Sequence, residues 1–133
     1  MENNLTGDAS FRSPNANGDA APFVTIVGPR SASKVSGTVV VQIRASDDQA
    51  APGTLNVQVS FDDGVIWFTA ISVLGTLYDF NWETPAGEDG VLYTLVARAT
   101  DMSGNMAESR SILVAVDNVF AEKLASSAPQ PNN

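Results

Sequence analysis

The most constraining feature of this sequence is an alternation of apolar and polar residues across residues 90–117. Its apolar phase consists of Tyr93, Leu95, Ala97, Ala99, Ile112, Val114 and Val116. Between the two runs lies Asp101-Met102-Ser103-Gly104-Asn105, which is rich in turn formers. Because side chains alternate between the two faces of a strand, a period of two around such a turn predicts a β-hairpin.

Five further segments show the same signals, at residues 22–28, 38–45, 55–61, 65–73 and 76–82. Turn formers separate them, for example Asp62-Asp63-Gly64 between the third and fourth. No helical stretch with a period of 3.6 lies between them. With the hairpin they make seven predicted strands, so we expect an all-β antiparallel sandwich or barrel.

The predicted domain covers residues 22–118, and a polar segment lies on either side of it. Residues 1–21 are rich in Asn, Gly, Ser and Ala, so we expect a flexible leader or an arm that docks on a partner. In the second case Phe11 would be the apolar anchor. Residues 119–133 form a second tail with linker-like composition, and 119–125 could hold a helical turn or two.

Composition excludes several classes of function. The sequence contains no cysteine and no histidine, which removes disulfides, histidine-based nucleophile activation and the commonest zinc ligand. Fifteen acidic residues stand against seven basic ones, for a net charge of −8. The basic residues form no stripe, so we expect neither nucleic-acid nor membrane binding. The first residues, MENNLTGDASF, lack the features of a secretory signal.

The run from Pro22 to Asn118 resembles the bacterial immunoglobulin-like domains found in surface and secreted proteins and on phage particles. The matching pieces are Val35-Ser36-Gly37-Thr38-Val39, Ala45-Ser46-Asp47-Asp48, Phe61-Asp62-Asp63-Gly64, Tyr78-Asp79-Phe80-Asn81-Trp82, Asp89-Gly90-Val91-Leu92-Tyr93-Thr94-Leu95, Ala97-Arg98-Ala99-Thr100-Asp101, Ser103-Gly104-Asn105 and Val116-Asp117-Asn118. The resemblance implies a seven-strand Greek-key immunoglobulin-like sandwich. Domains of this kind mostly serve as structural and adhesive building blocks.

The resemblance also implies roles for four structural residues. Tyr93 is expected to turn its hydroxyl back to nearby backbone, and Leu95 to occupy the place of the usual second cysteine. Trp67 and Trp82 are expected in the core, where large aromatic side chains supply buried area.

Oxygen-bearing side chains are expected to cluster at both ends of the sandwich. Asp47 and Asp48 lie in one loop, and Asp101 and Asn105 in another that should meet it at one end of the sandwich. Calcium favours such oxygen ligands, whereas the alternative is that Asp and Asn serve their own turns. At the other end we expect Asp62, Asp63, Glu88, Asp89 and Asp117. No other cofactor is expected.

Three surfaces could carry function. Asp62 and Glu88 would be the carboxylate pair of a hydrolase, although turn residues are the simpler reading and no catalytic residue is assigned. Phe68 points away from Trp67 and is the aromatic residue most suited to contact a carbohydrate or a partner. The outward phase of the strands carries an apolar set that could form an interface, namely Leu77, Leu92, Val96 and Leu113.

We therefore expect a non-enzymatic structural or interaction protein. One setting is a virion (capsid) decoration or surface-binding protein, which a leading methionine without a signal favours. The alternative is a spacer or adhesion module of a bacterial cell-surface or secreted protein. The expected partners are a capsid or surface-layer protein, neighbouring immunoglobulin-like domains, or a second copy of the chain. The expected location is a virion surface or the cell exterior.

Overall fold

The computed structural model of the chain describes residues 20–119. Within them lie ten strands: β1 Phe23–Gly28, β2 Lys34–Val35, β3 Thr38–Ser46, β4 Asn56–Ser60, β5 Phe68–Thr69, β6 Ile71–Leu74, β7 Leu77–Glu83, β8 Asp89–Thr100, β9 Met106–Glu108 and β10 Ile112–Asp117. Apart from Val119, the helical turns predicted at 119–125 fall outside the described residues, and so does the anchor role of Phe11.

The strands form two sheets that pack face to face. The first has the order β1-β3-β7-β6, and the second has the order β2-β10-β8-β4-β5, with β9 paired to β8. The pairs are antiparallel except for the short parallel pair of β2 with β10. This strand order is that of an immunoglobulin-type sandwich, so the predicted all-β immunoglobulin-like class is confirmed, although residues 20–119 form ten strands rather than the predicted seven.

Alternation along the strands builds the core. Val41 and Ile43 of β3 have no exposed surface, and neither do Leu95 and Ala97 of β8, because these side chains point between the sheets. Tyr78 of β7 is buried as well, and its hydroxyl accepts a hydrogen bond from the Leu55 N–H at 3.0 Å. The two sheets are thus joined by apolar burial and by a buried phenol.

The predicted strand 65–73 is two strands in different sheets. Phe68–Thr69 pairs with β4 in the second sheet, whereas Ile71–Leu74 pairs with β7 in the first. The chain crosses between the sheets at Ala70, which is buried and donates its N–H to the Val57 carbonyl. The segment from Val65 to Leu74 is largely apolar on both sides of this crossing, with only Thr69 and Ser72 polar, so its periodicity does not reveal the change of sheet.

The second arm of the predicted hairpin is also divided, into β9 and β10. Between them, Ser109 donates its N–H to the Ala97 carbonyl at 2.7 Å, and its hydroxyl accepts the Ala97 N–H at 2.9 Å. A side chain therefore replaces a ladder bond where the strand is interrupted.

Asn118 closes the sandwich where β10 ends. Its side-chain oxygen accepts the Gly37 N–H, and its amide donates to the Thr84 hydroxyl and the Pro85 carbonyl. One buried side chain thus links the chain segments that follow β2, β7 and β10. Between residues 20 and 119 there is no helix of the length and apolarity needed to cross a membrane.

Candidate interaction site

Strand β6 is an apolar edge strand that the rest of the domain leaves uncovered. All four of its residues are exposed, with Ile71 at 70% and Leu74 at 74%. No charged residue occurs between Gly64 and Tyr78. Soluble proteins usually protect a sheet edge with charges or proline, and the opposite edge strand, β1, starts directly after Pro22. The β6 edge lacks both devices.

Strand β6 covers only part of β7. It pairs with β7 from Leu77 to Asp79, and no described strand lies beside the remaining residues on that side. The cause is the crossing at Ala70, which takes the chain into the other sheet before it can pair with Phe80 and beyond. The second half of β7, Phe80–Glu83, therefore has an open edge, next to β5 of the second sheet.

An aromatic cleft of about 320 Å³ lies beside this open edge. Its lining consists of Phe61, Phe68, Phe80, Asn81, Trp82 and Glu83. The ring of Phe61 stacks on Trp82 with a centroid distance of 4.3 Å, and Phe68 lies 5.5 Å from Phe80. Phe68 is 43% exposed, so it forms the mouth of the cleft, whereas Phe61 and Trp82 are buried and form its floor.

The outer face of β7 beside the cleft is acidic. The side chains of Asp79, Asn81 and Glu83 share the outer face of β7, because they alternate with inward-facing Tyr78, Phe80 and Trp82. Asp79 accepts a long hydrogen bond from Gln42, and Glu83 accepts one from the Thr38 hydroxyl. Neither carboxylate pairs with a Lys or Arg of residues 20–119. The outer face of β7 thus carries one carboxylate on either side of Asn81, each two residues away from it along the strand.

Three of the predicted structural residues lie in or beside the core. Leu95 is fully buried, and Trp82 is 7% exposed. Tyr93 packs its ring edge-on against Trp82. Its hydroxyl donates to the Glu88 carboxylate at 2.7 Å, so the expected hydrogen bond to backbone is replaced by one to a side chain five residues earlier. Burial, together with this hydrogen bond and the charge of Glu88, raises the pKa of Tyr93 to about 12.

The prediction that Trp67 lies in the core was wrong. Trp67 is half-buried on the outer side of the second sheet, where the guanidinium of Arg98 lies 4.1 Å from its ring centroid. Arg98 is held there by a hydrogen bond from its Nε to Gln58 at 2.8 Å. The segment 62–67 folds back over the sheet surface, which removes Trp67 from the strand phase that the sequence suggested.

Asp62 organises that segment. Its Oδ1 accepts the hydroxyl of Ser60 at 2.7 Å and the N–H groups of Val65 and Ile66. The Ile66 N–H, followed by the Ser60 hydroxyl, lowers the pKa of Asp62 below its usual value. The backbone at Asp62 bridges to Thr94, midway along β8 rather than at the end of the sandwich. This carboxylate therefore serves its own loop rather than a pair with Glu88, which binds Tyr93 instead.

The same segment explains a second correction. Val96 was predicted to be outward and part of an apolar patch, yet it is 5% exposed because it lies beneath the 62–67 segment. Leu92 and Leu113 of that predicted patch are exposed neighbours on β8 and β10, whereas Leu77 is half-buried.

The predicted calcium ligands lie partly together. Asp47 and Asp101 line one pocket of about 290 Å³ at the expected end, whereas Asp48 and Asn105 do not line it. Asp101 accepts the N–H groups of Ser103 and Asn105, each at 2.9 Å, so its Oδ1 stabilises its own turn. Asp47 accepts the Gln49 N–H in the same way. Across residues 20–119, no three acidic side chains come close enough together to hold a metal ion. Calcium binding here remains a prediction.

The open β7 edge was missed by sequence reasoning. The signal that could have found it is the uncharged run from Gly64 to Tyr78, which is too apolar for an ordinary exposed edge. Only the register of β5 and β6 shows that this run divides and leaves part of β7 unpaired.

Comparison with solved structures supports the fold. The chain is similar to part of an endo-β-1,4-mannanase from Thermotoga petrophila, with a TM-score of 0.56 and 19% identity over 79% of this chain and 21% of that one. It is similar to fibronectin(III)-like modules of Clostridium thermocellum CbhA, with a TM-score of 0.53 and 21% identity over 73% of this chain and 98% of that one. The sulfane dehydrogenase SoxCD from Paracoccus pantotrophus matches with a TM-score of 0.50 and 20% identity, over 68% of this chain and 26% of that one.

At such low identity these structures share the fold alone with this protein. The chain corresponds to about a fifth of the mannanase chain and a quarter of the SoxCD chain, but to nearly all of a CbhA module. No curated protein sequence matches it. The profile of the bacterial Ig domain family matches residues 22–97, which is more than half of the chain. The protein therefore belongs to the bacterial Ig domain family.

Proposed function

We propose that this protein is a non-enzymatic surface module that binds another protein through the β6 edge. The observation that carries the proposal is that β6 exposes all four of its residues, in an uncharged segment that extends from Gly64 to Tyr78. An exposed edge strand presents unpaired backbone N–H and C=O groups. A strand of another protein can pair with them, so the edge can serve as an interface. The carboxylates that sequence analysis considered for catalysis are engaged in loops and in the contact with Tyr93.

Two settings fit such a module. One is the surface of a virus particle, where the domain would decorate a capsid protein, and the acidic surface with a net charge of −8 would keep unbound copies apart. The other is a longer cell-surface or secreted protein, in which the domain is a spacer or adhesive unit. The CbhA modules support the second setting only by fold, since their identity to this chain is 21%.

A lysine placed on the edge tests the interface. We expect Leu74→Lys to abolish co-sedimentation with particles or envelopes from the source organism, because a charge on an edge strand opposes pairing. The melting temperature should stay within a few degrees, since Leu74 is 74% exposed.

The matched control is Leu92→Lys, which places the same charge on the second sheet at a residue that is 62% exposed. Its co-sedimentation should equal that of the wild type. Equal retention of the Leu74→Lys protein would remove the β6 edge as the interface. Enrichment of the wild type with particles or with envelopes distinguishes the two settings.

A further inference from the structure

We infer that the open half of β7, together with the aromatic cleft, binds an extended segment of the partner protein whose central basic residue lies between two apolar ones. This inference rests on the proposed function and names the kind of partner that the same side of the sheet would take. The segment would lie in line with β6 and would add a strand beside Phe80–Glu83. Backbone pairing, the two faces of the added strand and charge each contribute to the argument.

The backbone of β7 presents free donors and acceptors at this edge. Thr84 donates its N–H to the Gly37 carbonyl, and Thr76 accepts the Ala45 N–H, which fixes the phase of the ladder between β7 and β3. In an antiparallel pair, alternate residues bond to the same neighbour. Residues of even number therefore bond to β3, whereas Asn81 and Glu83 direct their N–H and C=O groups to the open side. Residues 20–119 supply no main-chain partner to either of them there.

The faces of an added strand follow from this register. A residue opposite Asn81 would exchange two hydrogen bonds with it and would point outward, since directly opposed residues share a face. Its two neighbours would lie opposite Phe80 and Trp82 and would point inward. The aromatic cleft begins at that position, with Phe61 as its floor and Phe68 as its mouth. The two inward side chains of the segment are therefore apolar.

Charge specifies the central residue. On the outer face of β7, Asp79 and Glu83 flank Asn81 as its next neighbours along the strand. They stand diagonally to the residue opposite Asn81, at roughly 7–8 Å, which is within reach of a long side chain. A lysine or arginine at that place can approach both carboxylates. An acidic residue would be repelled by both.

Synthetic peptides test the inference with the full-length protein. The probe is the N-acetylated, C-amidated peptide Ser-Thr-Phe-Lys-Leu with a fluorescent label, and binding is measured by fluorescence anisotropy. The peptide ends at the leucine because a further residue would lie opposite Asp79, which already pairs with Ile71 of β6. A second peptide has the same side chains but an N-methyl group on the central lysine. Loss of one ladder hydrogen bond, and the clash of the methyl group, should weaken binding about tenfold or more. A third peptide has glutamate in place of lysine and should bind at least about tenfold more weakly at low salt.

Variants of the protein locate the site. Asn81→Pro removes the backbone N–H that Asn81 directs to the open edge, and it removes no hydrogen bond to β3. Phe68→Ala removes the ring at the mouth of the cleft. Each should weaken binding of the probe about tenfold or more. Leu92→Ala, a truncation at an exposed residue of the other sheet, should leave it unchanged. Circular dichroism confirms that each variant is folded, and the peptide series does not depend on any variant.

The inference is overturned if the probe fails to bind at millimolar concentration, or if the N-methylated peptide binds as well as the parent. It is also overturned if hexose oligosaccharides displace the probe, because the cleft would then be a sugar site. These results differ from failure of the proposed function. If the probe binds and the Leu74→Lys protein co-sediments as the wild type does, only the β6 interface is rejected. If the probe does not bind and the Leu74→Lys protein no longer co-sediments, only the added strand is rejected.

Discussion

At the scale of single residues, buried polar side chains hold the loops of the sandwich to one another. Asn118 is 5% exposed, and its amide contacts two other chain segments, one at Gly37 and one at Thr84 and Pro85. Replacing it with alanine would leave the Gly37 N–H and the Pro85 carbonyl without their partner. We expect Asn118→Ala to lower the free energy of unfolding by about 1–3 kcal/mol, which urea denaturation would measure.

The control for that substitution is Asn56→Ala, at an exposed residue of β4. Its free energy of unfolding should change by no more than about 0.5 kcal/mol. Equal effects of the two substitutions would show that the contacts of Asn118 contribute nothing beyond those of a surface amide.

Tyr93 makes stability depend on alkaline pH. Its pKa is raised from 10 to about 12 in the folded protein, first by burial and then by Glu88. A raised pKa means that the folded state favours the neutral phenol. The corresponding stability is complete below pH 10 and is lost as the pH rises from about 10 to 12.

We therefore expect the melting temperature of the wild type to fall across that interval more steeply than that of Tyr93→Phe, which has no phenol to ionise. The substitution should also lower the melting temperature at neutral pH, because the hydrogen bond to Glu88 is lost. Parallel melting curves above pH 10 would contradict this account of Tyr93.

At the scale of elements, strands with strict alternation could be predicted and the crossing between sheets could not. The faces of β3, β4 and β8 follow from a period of two, since each alternates over five residues or more. From residue 65 to 74 both phases are mainly apolar, with one polar residue in each, Thr69 and Ser72, so alternation assigns no face. The segment divides at Ala70 because its two halves pair with strands of different sheets. Such pairing depends on residues distant in sequence, so a local pattern cannot predict it.

The cleft of the candidate site could not be predicted for the same reason, because long-range packing brings its residues together. Phe68 was predicted to be exposed from its phase relative to Trp67, and the structure places it at the mouth of the cleft. The cleft itself combines Phe80 and Trp82 of the first sheet with Phe68 of the second and with Phe61, which directly follows β4. The sequence assigns a face to single aromatic residues, and only the packing of the sheets shows which of them meet.

At the scale of the whole molecule, the two lateral edges of the first sheet differ, because one of them leaves part of a strand without a neighbour. The first sheet ends at β1 on one side and at the short β6 on the other, where β7 continues beyond its neighbour. A strand of seven residues with a partner along only part of its length leaves hydrogen-bonding capacity unused. The interaction surface proposed for this bacterial Ig domain lies on that incomplete side.

Residue-resolved hydrogen exchange tests this central claim most directly, on the full-length protein alone and with the lysine-containing probe peptide. The account predicts that the amides of Asn81 and Glu83 exchange rapidly in the free protein and slowly in the complex. The amides of Phe80 and Trp82, which bond to β3, should be protected in both states. Protection of the Asn81 and Glu83 amides in the free protein, or rapid exchange of both in the complex, would contradict it.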